Sequence, residues 1–140
     1  MVDEMFIRAR LKTLEQYISD LKSVKGTDFE EFQSNKVLYR FVERTLQIAL
    51  EACLDVGNHI ISSEGYREPA FSRDVFLILF ENGWIDKDLH ERLRGMVGFR
   101  NILVHDYVSV EPNIVYTVLQ KRIPDLETFA VQIMNALGQK

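Results

Sequence analysis

The sequence predicts an all-α protein, an up-and-down helical bundle of four main helices with one or two short extra helices. Apolar residues recur at the three- and four-residue steps of a helix in the long segments of the chain. No segment alternates apolar and polar residues between hairpin turns, as half-buried strands do. The chain has 140 residues and no internal repeat or low-complexity run, so one domain over residues 1–140 is expected.

The first half of the chain predicts two long helices with a short one between them. The first helix spans roughly residues 3 to 24, where an apolar ridge recurs at helical spacing: Ile7, Leu11, Leu14, Ile18 and Leu21. Gly26 breaks this helix, and Asp28 can cap a short helical turn that ends before Asn35. A long helix is then expected from Lys36 to about Ser62.

The long helix carries more apolar surface than one buried face requires. Its main face is expected to lie in the core: Leu38, Phe41, Val42, Leu46, Ala49, Cys53, Val56 and Ile60. A second apolar line consists of Leu50, Leu54 and Ile61. Another helix or a second subunit must cover that line, so it is a candidate for part of a dimer interface or for packing against the last helix.

The second half of the chain predicts further helices with recognisable ends. Residues 71–82 form one helix, which Gly83 closes, and Asp86 opens the next. Pro112 is placed as a first helical residue, and Pro124 starts or kinks the last segment. That last helix is expected to bury its apolar side: Leu126, Phe129, Ala130, Ile133 and Leu137.

Composition and charge limit the class of function. A net charge of -4 argues against a broad basic surface for nucleic acid but leaves room for a small phosphodiester site. The N-terminal residues show no export signal, and no apolar run is long enough for a membrane span. The single cysteine, Cys53, cannot form an internal disulfide. A cytoplasmic protein without a membrane partner is therefore expected.

The segment 98–107, GFRNILVHDY, departs from the pattern of a core helix. Arg100 falls in the middle of an apolar stripe made of Leu89, Leu93, Met96, Leu103, Val104 and Tyr107. An unpaired arginine buried there would cost several kcal/mol, so it must find a carboxylate, a phosphate or a water-filled cleft. Gly95 and Gly98 lie on the opposite helix face, where they would admit a close backbone or ligand.

The sequence does not determine whether the side chains of Arg100 and His105 lie close together. Asn101 and His105 share one helix face, whereas Arg100 and His105 are about 140° apart on an ideal helix. The pair can converge only if the helix ends near His105 or if a symmetry mate supplies one of the two residues. The structural alternative is that Arg100 pairs with a core acid such as Asp55 or Glu43, and that His105 only caps a helix end.

Other polar residues give weaker signals. Asp55 and His59 have a spacing that a metal pair could use, but no third ligand is in register, so His59 is expected to be a core histidine. His90 is expected at the surface. The sequence has no glycine-rich phosphate loop, paired-cysteine zinc spacing or nucleophile elbow. Phosphate recognition would fall to Arg100, with help from other basic residues: Arg92, Arg94 or Lys121.

Residues 100–107, RNILVHDY, match the R-x4-H-x-Y motif of the HEPN superfamily, in its HepT-like toxin branch. The segments DVGNHII, FLILFENGWI and MVGFRNILVHDY also resemble that branch and follow in the same order. The resemblance covers nearly the whole chain. It implies a single HEPN domain with the HEPN-type helical bundle.

This resemblance also implies an activity. It points to the toxin of a toxin–antitoxin pair, a metal-independent endoribonuclease that acts on RNA without a cofactor, and its partner would be a MntA-like nucleotidyltransferase antitoxin. In that family an arginine and a histidine form the catalytic pair, which assigns Arg100 and His105. The tyrosine that the antitoxin modifies with AMP corresponds to Tyr107. Asn101 fits the family pattern, and Asp106 either orients His105 or is only solvated.

The residue types suit the cleavage of RNA through its own 2′-hydroxyl. A histidine can exchange protons near neutral pH, and an arginine can hold phosphate oxygens while it stays charged. A homodimer would bring two histidines and two arginines to one cleft, and a larger hetero-oligomer would form with the antitoxin. The competing interpretation is a non-catalytic HEPN dimer that only binds a nucleotidyltransferase partner or nucleic acid.

Overall fold

The computed structural model describes residues 2–105 and 111–139, and for residues 104 and 105 it describes the backbone alone. These ranges contain seven helices and no strand. The helices are α1 Glu4–Val24, α2 Phe29–Ser34, α3 Lys36–Glu64, α4 Ser72–Glu81, α5 Lys87–His105, α6 Pro112–Lys121 and α7 Ile123–Gly138. The predicted all-α bundle is confirmed: α1, α3, α5 and α7 are its main helices, accompanied by three shorter ones. None of these seven helices is long and apolar enough to cross a membrane.

Polar caps fix the starts of three helices. Asp28, Asn35 and Asp86 each accept a hydrogen bond from the backbone N–H three residues further on, at 2.8, 3.1 and 2.8 Å. Such a cap satisfies an N–H that has no partner inside its own helix, and it stabilises the helix by about 1 kcal/mol. Pro112 occupies the first turn of α6, as its missing N–H favours. The helix starts predicted at these positions are confirmed.

The helix α3 lies at the centre of the bundle and contacts every other helix. Its second apolar line is buried within the single chain, since Leu50, Leu54 and Ile61 are 0%, 5% and 4% exposed. The chain's own helices, α7 among those packed on α3, therefore cover this line, so of the two alternatives the dimer interface is wrong. The residues predicted to be buried in the last helix are buried in α7: Leu126, Phe129, Ala130, Ile133 and Leu137.

A glycine lets α3 and α4 approach each other closely. A Cβ atom built on Gly57 would lie 2.4 Å from Cγ1 of Val75 and 3.3 Å from Cδ1 of Leu79. Both neighbours are buried side chains of α4, so they cannot swing away into solvent. Glycine inside a helix costs about 1 kcal/mol relative to alanine, and at this position the close helix contact requires it.

We expect Gly57→Ala to lower the free energy of unfolding by about 1 to 2 kcal/mol, because the overpacking penalty exceeds the gain in helix propensity. Gly95→Ala is the matched control on α5, since nothing lies within 4 Å of a Cβ atom at that position. The control should raise stability by up to about 1 kcal/mol. Urea unfolding of both variants would measure the difference, and an equal stability for the two would contradict the close α3–α4 contact.

A buried ion pair joins α5 to α7. Nη1 of Arg92 lies 2.6 Å from Oδ1 of Asp125, whose side chain is only 3% exposed, and Nη2 of Arg92 lies 2.9 Å from Asp88. Arg122 is a weaker second partner of Asp125, at 3.7 Å. The remaining oxygen of Asp125, Oδ2, is buried and has no hydrogen-bond partner in the described part of the chain. Removing Arg92 would therefore leave a carboxylate in the core with little compensation.

We expect Arg92→Met to destabilise the protein by about 2 to 4 kcal/mol, because one charge of a buried pair is left behind. The double variant Arg92→Met with Asp125→Leu should recover more than half of that loss, since an apolar pair of similar size needs no ionic compensation. A double-mutant cycle in urea measures the coupling. Additive losses in the double variant would show that the two side chains do not depend on each other.

His90, which was expected at the surface, is partly exposed and partly covered. It is partly buried on α5, where its ring stacks on Phe80 with the centroids 5.6 Å apart and the planes parallel. Burial lowers the pKa of His90 below its ordinary value, against an opposing contribution from Glu91. Its buried Nδ1 has no hydrogen-bond partner among the described residues. The histidine thus acts as a packing residue whose charged form is disfavoured by burial.

Candidate active site

Arg100 lies near the end of α5 with only part of its hydrogen-bonding capacity used. Its side chain is 20% exposed. Nη1 donates a hydrogen bond to Oδ1 of Asn101 at 3.0 Å, and Nη2 lies 3.6 Å from Oε1 of Glu51 on α3. The second contact is an ion pair, but its distance is too long for a hydrogen bond. Nε is buried and has no acceptor in the ranges that the structure describes. The guanidinium is therefore paired in charge and still has donors for a ligand.

The acid beside Arg100 is neither of the two suggested by the sequence. Asp55 accepts a hydrogen bond from Arg10 at 2.8 Å. Glu43 hydrogen-bonds with Tyr39, and burial together with this acceptor raises the pKa of the tyrosine to about 12. Glu51 takes the place beside Arg100 because it lies one helical turn before Asp55, where α3 contacts α5. The prediction of an acid on α3 was right in kind and wrong in position.

A cleft of about 520 Å³ opens between the start of α4 and the last turns of α5. It is lined by Ala70, Phe71, Ser72, Arg73, Arg94, Val97, Gly98, Arg100 and Asn101. Among the residues that the structure describes, this lining contains three arginines and no acidic residue. Neither Arg73 nor Arg94 has a carboxylate within 4 Å among the described residues, and both are exposed. The cleft is thus a local cationic site on a chain with a net charge of -4.

The structure places only part of the predicted catalytic set. Arg100 and Asn101 meet in the cleft. The backbone of α5 continues to His105, and position 105 follows Asn101 by one helical turn, on the same face of the helix. The backbone of α5 therefore runs from the cleft to His105. Positions 100 and 105 are still about 140° apart around the axis of an ideal helix. Asp106 and Tyr107 lie outside the described residues.

The remaining candidates from the sequence have structural roles or lie elsewhere. His59 accepts a hydrogen bond from the backbone N–H of Asp3 at 2.9 Å and contacts the ring of Phe6 at 4.6 Å, so it holds the start of α1 against α3. Arg92 belongs to the buried ion pair with Asp125. Within the described ranges no three histidine, cysteine, aspartate or glutamate residues are grouped as a metal site would need. Of the three proposed helper residues, Arg94 shares the cleft with Arg100, whereas Arg92 and Lys121 do not line it.

A larger groove of about 780 Å³ lies between α5 and α6, on the side of Gly95. Nothing lies within 4 Å of a Cβ atom at Gly95 or Gly98, so no described backbone approaches these glycines closely, and Gly98 also lines the arginine cleft beside Arg100. The groove is lined by two carboxylates and two arginines: Asp88, Glu91, Arg92 and Arg122. Both arginines already pair with Asp125, so the smaller arginine cleft, whose described lining has no carboxylate, is the better candidate for an anionic substrate.

Two residues of the cleft could not be found from the sequence alone. Arg73 comes from the first turn of α4 and reaches the cleft only because α4 packs against α5. Phe71 was placed at the start of the helix over residues 71–82, but it is the N-cap residue with an extended backbone, at φ -135° and ψ 159°, and it is 62% exposed. The positions of the basic residues of α5 relative to one another follow from helical spacing in the sequence. No spacing in the sequence places the α4 residues beside them.

An all-α bundle with a partly buried arginine in a cationic cleft defines the class of this protein: a helical protein whose cleft can hold an anionic group such as a phosphate. The family can then be named. A family model described as Ribonuclease HepT-like matches residues 14–133, and the chain belongs to this family. The resemblance noted in residues 100–107 is confirmed at the level of the family.

Relatives support the same membership over almost the full length. The mRNA nuclease HepT of Shewanella oneidensis is 37% identical over 120 residues, which cover 86% of this chain and 90% of the relative. The tRNA nuclease HepT of Aphanizomenon flos-aquae is 24% identical over 136 residues, which cover 97% and 92%. A solved structure of the tri-AMPylated Shewanella oneidensis HEPN toxin in complex with MNT antitoxin has a TM-score of 0.85 and 36% identity, and the match covers 96% of this chain and 99% of that chain.

Proposed function

We propose that this chain is the toxin of a toxin–antitoxin pair and cleaves RNA as a metal-independent endoribonuclease. The observation that carries the proposal is the position of Arg100: it belongs to the family motif R-x4-H-x-Y and lies in a cleft whose described lining has three arginines and no acid. Arg100 holds the scissile phosphate, and His105 exchanges the protons. Asn101 fixes the guanidinium through its 3.0 Å hydrogen bond, and Asp106 orients the histidine.

The proposed reaction uses the RNA's own 2′-hydroxyl as the nucleophile. A base removes the proton from this hydroxyl, the oxygen attacks phosphorus, and the bond from phosphorus to the 5′-oxygen breaks as an acid protonates that oxygen. The products are a 2′,3′-cyclic phosphate and a free 5′-hydroxyl. Arg100 stabilises the negative charge on the non-bridging phosphate oxygens in the transition state. His105 can serve as base or acid near neutral pH.

A homodimer would complete this arrangement. One α5 contributes a single motif histidine, and Arg100 and His105 point to different sides of an ideal helix. A two-fold axis beside the end of α5 would bring the histidine of one protomer to the arginine of the other. In this proposal residues 1–140 act as one HEPN domain, the working unit is a dimer, and a larger hetero-oligomer forms with the antitoxin.

Tyr107 is the proposed control point. A MntA-like nucleotidyltransferase would transfer AMP to its phenol oxygen, and the added phosphate would bring negative charge close to Arg100 and block the RNA. Support comes from the relative of Shewanella oneidensis, whose HEPN toxin is tri-AMPylated in its complex with MNT antitoxin. RNA and nucleotides are found in the cytoplasm, which is therefore the proposed location of the protein.

The first experiment is RNA cleavage by the purified, unmodified protein in excess chelator, with the product ends identified. Resistance to the chelator and cyclic phosphate ends would support the proposed chemistry. Treatment with a MntA-like nucleotidyltransferase and ATP should then abolish cleavage in the wild type and leave Tyr107→Phe active, because the variant lacks the acceptor oxygen. A folded dimer that cleaves no cellular RNA would favour the alternative, a non-catalytic HEPN dimer that only binds a nucleotidyltransferase partner or nucleic acid. In that case the ion pair of Arg100 with Glu51 would only stabilise the fold.

A further inference from the structure

An exposed aromatic ring lies at the rim of the arginine cleft. Phe71 is 62% exposed, and Cζ of Arg73 lies 4.9 Å from the centroid of its ring, within the range of a cation–π contact. The backbone N–H of Phe71 donates a hydrogen bond to Oδ2 of Asp74 at 3.0 Å, which fixes the turn that presents the residue. Arg73 and Phe71 thus form a preorganised pair at the start of α4.

The surroundings of Phe71 separate it from an ordinary surface residue. A single exposed apolar side chain is common and needs no special explanation. Phe71, however, lines the same cleft as Arg73, Arg94 and Arg100, and no acidic side chain is among the described lining residues. An aromatic ring among cationic groups is the combination that proteins use for single-stranded nucleic acid, where the cations hold the backbone and the ring stacks on a base.

We propose that Phe71 stacks on an RNA base next to the phosphate held by Arg100, and that Arg73 binds an adjacent phosphate. The proposal rests on the proposed ribonuclease function and adds a substrate-binding element to it. The cleft volume of about 520 Å³ is within the range of sites that enclose a small ligand. RNA suits this cleft better than a protein partner does, because Arg73 and Arg94 have no carboxylate partner among the described residues, whereas Asp74 is engaged by the Phe71 N–H and Glu51 by Arg100.

The stacking residue would select the form of the RNA. A base can lie on Phe71 only after it has left its own helical stack, which costs least in a single-stranded stretch or a loop. The 2′-hydroxyl attack also needs a flexible backbone that can bring the nucleophile in line with the leaving oxygen. A site beside Phe71 would therefore favour cleavage at unpaired nucleotides, with little preference among bases, because every base has a π-face.

Steady-state cleavage rates on a single-stranded oligonucleotide that the wild type cleaves would test this proposal. Phe71→Ala should raise KM by roughly 5- to 100-fold, the usual range for the loss of one base stack. The rate constant kcat should change little, since stacking acts equally in the ground state and the transition state. Phe71→Trp should keep the wild-type KM, and Phe71→Leu should resemble the alanine variant. The control is Phe41→Ala, which removes another exposed phenylalanine outside the cleft.

Binding gives a second readout that does not depend on cleavage. In a His105→Ala background, an RNA with 2-aminopurine beside the cleavage site should show stacking-dependent quenching, and Phe71→Ala should remove it. An unchanged KM with unchanged quenching would overturn the proposal, as would Phe71→Leu behaving like Phe71→Trp. Loss of affinity for a MntA-like antitoxin without a change for RNA would assign the ring to a protein contact instead. If the wild type cleaves nothing but shows quenching that depends on Phe71, the ribonuclease function fails and the stacking site stands.

Discussion

His105→Ala is expected to cleave RNA about 100-fold or more slowly than the wild type, because a positioned general acid or base contributes roughly 10²- to 10⁴-fold to such reactions. The residue stands at the end of α5, one helical turn after Asn101 of the arginine cleft. Single-turnover cleavage with enzyme in excess would measure the chemical step directly. The loss should appear in kcat, with the affinity for RNA largely kept, because Arg73, Arg94 and Arg100 remain.

A second histidine on the same helix provides the control for this variant. His90 stacks on Phe80 and does not line the arginine cleft. His90→Gln should keep the cleavage rate of the wild type, apart from any loss of folded protein. Equal rates for His105→Ala and the wild type would exclude His105 from the chemical step and would favour the non-catalytic dimer.

Arg100→Ala is expected to lower kcat by about 10²- to 10³-fold, the typical cost of removing one preorganised charge from a transition state. Arg100→Lys should retain part of the activity, because it keeps the charge but loses the planar fork that binds two phosphate oxygens together. Steady-state cleavage of one oligonucleotide by the three proteins would rank them. The order expected is wild type, then lysine, then alanine.

Stability measurements on the same proteins separate catalysis from structure. Glu51, the ion-pair partner of Arg100, is 34% exposed, so water can solvate it when the arginine is removed. Arg100→Ala should therefore unfold near the wild-type temperature while its activity is lost. Arg67→Ala is a matched control, since Arg67 has an exposed ion pair with Glu81 and does not line the cleft. A large drop in the unfolding temperature together with unchanged kcat would make Arg100 a structural residue.

The helices could be predicted because their signals are local. Asp28 and Asn35 cap the residues three positions later, and Pro112 fits a first helical turn, so each signal and its effect lie within a few residues. Apolar spacing likewise identified the buried side of α7, since that side is set by the period of one helix. The burial of Leu50 could not be predicted from the apolar spacing of α3 alone, because it depends on how many other helices pack around α3.

The site could be predicted only along one helix. Arg100 and Asn101 were found because both are on α5 and their positions relative to each other follow from helical geometry. The choice of Glu51 over Asp55 depends on the contact between α3 and α5, and a shift of one turn changes the partner. Arg73 and Phe71 come from α4, so only the packing of two helices that are separate in sequence reveals them.

The small size of the arginine cleft has a consequence for how this protein meets RNA in a cell. Each neutralised phosphate releases condensed counterions, and the logarithm of affinity for a single strand falls with the logarithm of salt by about 0.7 per phosphate. Three arginines in the cleft would give a slope of roughly -2, whereas proteins that make many phosphate contacts show much steeper slopes. With such a slope, a tenfold rise in salt would lower the affinity for RNA by about 100-fold, far less than for a protein with many phosphate contacts. Binding through this cleft would therefore depend only modestly on ionic strength.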